Sequence, residues 1–124
     1  MIDRGWVRAG CVGAAVSMAA FLFLGAEAAA DVPLFPPPWD KLAHFTYYGI
    51  MAGLLAHGLG MRLLFVPLIL APLIGAADEW HQAFVPGRDS SIFDCAADAL
   101  GTVTAVVAYR AWGKGRDAAN ARDR

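Results

Sequence analysis

The sequence predicts an all-α bundle of four membrane-spanning helices with both chain termini on the cytoplasmic side. Three observations predict it. Hydrophobic residues make up 58% of the 124 positions and charged residues only 17%, with a mean hydropathy of +0.48; this is too apolar for an ordinary soluble domain of that size. The apolar residues fall into four segments near the roughly 20 residues a spanning helix needs, separated by proline- and glycine-rich breaks. The basic residues are also lopsided once the segments are laid out. Arg4, Arg8, Arg62, Arg110, Lys114, Arg116, Arg122 and Arg124 fall on one side, Lys41 and Arg88 on the other. The richer side is the cytoplasmic one. Residues 1–124 therefore read as one transmembrane domain without internal repeats.

The first segment covers residues 5–30 and is interrupted only by Arg8 and Glu27. It reads in two ways. A retained span would complete a four-helix bundle that buries the later polar groups; Arg4, Arg8, an apolar stretch to Leu24 and the small run 26–30 also fit a cleavable secretory signal. Pro36, Pro37 and Pro38 then favour an extended connection, and Trp39 suits a membrane interface. The second span runs from Asp40, placed to cap the helix, to about Gly60. Its Gly49 and Gly53 form a GxxxG packing face. Gly58, Gly60 and Arg62 mark a turn, and the third span covers about residues 63–84, with Pro67 and Pro72 as sources of a kink.

Residues 85–91 form a turn in which Gly87 is expected at positive φ. Ser91 and Asp94 have capping-box-like spacing at the start of the fourth span. That span carries Ala97, Gly101 and Ala105 at four-residue intervals and ends near Trp112, leaving a polar, mobile tail at 113–124. Cys11 and Cys95 lie at opposite ends of their spans, which argues against a disulfide.

Chemistry concentrates at the outer end, where ionisable groups near hydrocarbon are costly unless paired, hydrated or used. The run Asp78-Glu79-Trp80-His81-Gln82 closes the apolar third span. A helix turning about 100° per residue aligns Asp78 with Gln82, Asp40 with His44, and Asp94 with Asp98, and sends Trp80 toward lipid. Asp78 and Glu79 are the candidate catalytic acid–base pair, with His44 as partner, because neighbouring buried carboxylates titrate apart. Asp40, Lys41, Gln82, Arg88, Asp94 and Asp98 are candidate ligand-binding residues, with Arg88 suited to an anionic group. No cofactor is expected, with a divalent ion bridging Asp40, His44, Asp78 and Asp94 as the alternative; oxygen-rich donors would suit Mg²⁺ or Mn²⁺, and the histidine would admit Zn²⁺. The plainer alternative is an ion-pair lock of Asp78 and Glu79 with Lys41 and Arg88. His57, at the cytoplasmic end, reads as interfacial.

The blocks Asp40-Lys41-Leu42-Ala43-His44-Phe45, 78–88, and Asp94 with Leu100-Gly101 resemble the signature of the VanZ-like family of small integral membrane proteins. The resemblance covers about residues 39–107 and departs at Asp98, where the family commonly has asparagine. It implies a setting in the cell envelope, at the cytoplasmic membrane, and a link to glycopeptide (teicoplanin) resistance. The function expected is binding of an envelope-associated or lipid-linked ligand at the outer face. The alternatives are an acid–base or metal-assisted enzyme acting on such a substrate, or a structural subunit of a larger assembly; no HExxH motif is present. Expected partners are membrane lipids, a lipid-linked envelope precursor or glycopeptide, and another membrane helix or copy, with no nucleic acid.

Overall fold

The computed structural model describes residues 4–25, 36, 38–87 and 90–122. It contains α1 (Arg4–Gly25), α2 (Trp39–Leu59), α3 (Phe65–Gln82) and α4 (Ile92–Arg122), with a 3₁₀ turn at Met61–Leu63 joining α2 to α3. There is no strand among the described residues. Glu27, Asp31, the small run at 26–30, Arg88, Asp89 and Arg124 lie outside them.

The helix boundaries follow local chemistry, with four departures from expectation. Pro38, not Asp40, is the N-cap of α2; the Trp39 N–H bonds the Pro36 carbonyl at 2.9 Å, and Asp40 sits inside the first turn, where a negative charge suits the helix dipole. Pro67 occupies the first turn of α3, where a missing N–H removes no intrahelical bond, so only Pro72 interrupts the helix interior. At α4 the Ser91 Oγ accepts the Phe93 N–H at 3.2 Å, but Asp94 turns away to Lys41 instead of closing a capping box. Finally, residues 113–122 continue α4 instead of forming a loose tail. Gly113 meets Met61, and the Arg116 guanidinium stacks 4.7 Å from the Trp112 ring centroid, a contact that stabilises the extra turns.

The helix α2 is the centre of the bundle and packs on each of the other three. Its tightest contact is with α4: Gly49 abuts the Gly101 backbone, and a side chain at Gly101 would run into the Phe45 carbonyl. Both expected small-residue faces therefore meet each other, as close helix approach requires. The helix α1 belongs to the same bundle. Arg8 donates to the carbonyls of Gly58 and Leu59 at 2.8 and 2.9 Å, satisfying open acceptors at the end of α2, and the Tyr47 hydroxyl donates to the Met18 carbonyl at 2.7 Å. His57 lies between Tyr109 and Trp112. These contacts place the start of α1, the end of α2 and the C-terminal half of α4 together, with Asp40, Glu79 and Asp94 at the opposite end.

Burial is inverted relative to a water-soluble bundle. Asp78, Glu79, Asp94, Asp98 and Thr102 are buried beside Tyr48, Met51 and Ala52, while Ile69, Leu73, Leu100 and Val107 are exposed. That distribution suits a chain surrounded by hydrocarbon, where apolar side chains face outward and polar groups need internal partners. Arg4–Leu24 and Ile92–Arg122 are long and apolar enough to cross a membrane. Polar site residues dilute the hydropathy of α2 and α3.

Candidate functional site

The site is assembled where the first turns of α2 and α4 meet the last turns of α3. Lys41 is its outermost linker: Nζ donates to Asp40 Oδ2 at 2.7 Å and to Asp94 Oδ1 at 2.6 Å. One turn deeper on α2, His44 Nδ1 pairs with Asp98 Oδ1 at 2.9 Å. The helical spacing that aligned Asp94 with Asp98 and Asp40 with His44 thus yields two parallel rungs between α2 and α4.

Glu79 closes the arrangement from α3. Its Oε2 accepts the Ser91 N–H at 2.7 Å, and its Oε1 lies 3.9 Å from His44 Nε2, too far for a hydrogen bond. That oxygen is buried without a hydrogen-bond partner among the described residues. Tyr48 supports the imidazole from the next turn, with rings 6.2 Å apart and nearly parallel at 10°. Gly75 admits Asp98 into the α3 interface, since a Cβ there would overlap the aspartate. Asp78 is buried one position before Glu79 and accepts the Gln82 side-chain N–H at 2.9 Å.

The predicted residues are therefore gathered unequally. Asp40, Lys41 and Asp94 form one bonded group and His44 with Asp98 a second, with Glu79 beside His44, while Asp78 and Gln82 form an adjoining pair on α3. Arg88 lies outside the described residues. The expected lock of Lys41 on Asp78 or Glu79 is replaced by its bonds to Asp40 and Asp94. Sequence reasoning missed Tyr48, Gly75 and the Ser91 N–H as parts of the site. Nothing in the sequence pairs Gly75 with Asp98.

Among the described residues, carboxylates outnumber cations here. Asp40, Asp78, Glu79, Asp94 and Asp98 converge on this end, and Lys41 is the one Lys or Arg among the described residues bonded to any of them. Such a centre can accept hydrogen bonds, take up a proton, or hold a cation. Beside it lies an open groove of about 390 Å³ lined by Trp80, Ala83, Phe84 and Ile92 on its apolar side and by Glu79 and Ser91 on its polar side. Trp80 is 73% exposed, so the groove opens sideways from the bundle.

Fold and site together define a small helical bundle of membrane-protein character with an acid–histidine centre at one end. The sequence model of the VanZ/LLP1 family matches residues 10–113, and the chain belongs to that family. The match takes in α2, α3, most of α1 and α4 to Gly113. No curated protein and no solved structure matches the chain.

Proposed function

We propose that this chain is a four-span protein of the cytoplasmic membrane, with both termini inside, that binds an amphiphilic envelope ligand at its outer end. The observation that carries this reading is the groove beside Glu79. Apolar walls from Trp80, Phe84 and Ile92 run directly into a buried carboxylate. A lipid-linked molecule matches that combination: its chain lies against the aromatic wall, and hydroxyl or amine donors of its head group reach Glu79. The volume of about 390 Å³ falls in the ordinary range for small-ligand sites. The eight-to-two distribution of basic residues supports the outward placement of this end. An envelope ligand would also account for the glycopeptide association that the family resemblance implies.

The test is native mass spectrometry of the full chain purified with its own lipids. The wild-type protein is expected to carry a specific lipid-linked species that Glu79→Gln loses while remaining helical by circular dichroism. Identical lipid profiles for the two proteins would refute the reading.

A further inference from the structure

We propose that His44, Glu79 and Asp94 hold a divalent transition-metal ion, with zinc the best match to one imidazole and two carboxylates. The inference rests on reading this cluster as a ligand site, but it requires no lipid. One donor atom from each of the three residues lies within 4.8 Å of the others. Two ligands bound at about 2.0–2.2 Å to the same ion stand roughly 3.3 Å apart in a tetrahedral shell and at most about 4.4 Å apart. The 3.9 Å between His44 Nε2 and Glu79 Oε1 is thus too long for a hydrogen bond and within the span of one ion's shell.

Two independent features point the same way. Glu79 is 5% exposed, and its Oε1 is buried without a hydrogen-bond partner among the described residues and directed at His44 Nε2. A carboxylate oxygen in that position is uncompensated unless a cation or proton reaches it. His44, for its part, is engaged through Nδ1 by Asp98 at 2.9 Å, leaving Nε2 to face Glu79. A carboxylate on the far nitrogen is the usual second-sphere partner of a metal-bound histidine, fixing both ring orientation and tautomer. The same logic covers the other two residues: the Ser91 N–H fixes Glu79, and Lys41 fixes Asp94. Every proposed ligand is thereby oriented by a neighbour, and the divalent charge offsets the local excess of carboxylates.

The experiment uses the full chain in detergent, purified without chelator, with metal measured by plasma mass spectrometry. After chelator treatment, Zn²⁺, Mn²⁺ and Mg²⁺ are each titrated by calorimetry. Wild type is expected to bind about one Zn²⁺ per chain, with Glu79→Gln and His44→Gln losing it. Asp98→Ala, which removes only the orienting partner, should weaken binding by about 10- to 100-fold. His57→Gln and His81→Gln should bind as wild type does. If His44→Gln does not fold, Co²⁺ loaded into the wild type supplies the readout through the d–d bands of a nitrogen–oxygen shell. No binding of any of the three ions, binding unaffected by Glu79→Gln, or loss of binding in the His57 or His81 variant overturns the site. Metal bound without any specific lipid would leave the metal standing and remove the lipid reading; lipid bound without metal would do the reverse.

Discussion

At the scale of single residues, the centre is defined by what its carboxylates lack. Asp98 is 1% exposed and bonds His44 through one oxygen, while its other oxygen has no hydrogen-bond partner among the described residues. The resemblance to the VanZ-like family sets asparagine at this position, and the geometry explains how both can serve. An amide oxygen accepts the Nδ1–H as an aspartate does, without a buried charge. Asp98→Asn is therefore expected to fold with stability within about 1 kcal/mol of wild type, whereas Asp98→Ala leaves the imidazole N–H unsatisfied and should cost about 1–3 kcal/mol. Thermal unfolding of the two variants checks the difference; equal losses would mean that the His44 bond contributes nothing. The residues of this network were legible as types and as i,i+4 pairs on each helix. Their partners across helices were not. Lys41 joins Asp40 to Asp94 because α2 and α4 start side by side, and helix periodicity carries no information about which helices adjoin.

At the scale of elements, the interface between α2 and α4 holds the two rungs of the site in register. A Cβ at Gly101 would meet the Phe45 backbone, which cannot rotate away, whereas a Cβ at Gly53 would only touch Ala105 at 3.9 Å. Replacing a helical glycine by alanine normally gains up to about 1 kcal/mol. Gly53→Ala should therefore be neutral or stabilising, while Gly101→Ala should lose about 1–3 kcal/mol or more through overpacking and pull the Lys41 and His44 rungs out of line. Unfolding curves for both would show this, and a stabilised Gly101→Ala would contradict the packing. The helices themselves were largely readable. Apolar runs, the prolines before Trp39 and the Pro-Gly turn placed the starts of all four, and the ends of α2 and α3, within a few residues. The end of α4 was not readable, because Gly113 and Gly115 are poor helix formers. The contacts that carry the helix past them involve Met61 of another element and a cation–π pair of modest energy. Asp40 was misplaced as a cap because Pro38, two residues earlier, supplies the boundary.

At the scale of the whole molecule, the chain alternates direction through the bundle, bringing the helix ends rich in basic residues together and gathering the acids at the other end. If the eight-to-two asymmetry sets orientation, a cysteine at position 90 in a variant lacking Cys11 and Cys95 should react with an impermeant reagent from outside the cell. A cysteine at Gly115 should not, and the reverse pattern would invert the site. We propose that the buried acids form a site for a ligand, not a lock that holds the helices together. Glu79→Gln and Asp78→Asn separate these. Each replacement keeps an oxygen that can accept the bond observed to Ser91 or Gln82 and removes a charge that is costly to bury. The most direct measurement is thermal unfolding of the two variants in detergent, stripped of lipid and metal. Stability within about 1 kcal/mol of wild type or above it is expected, since each variant keeps its hydrogen-bond acceptor and loses only a buried charge. A loss of about 3–5 kcal/mol in both, the size expected when a buried ion pair is broken, would contradict it.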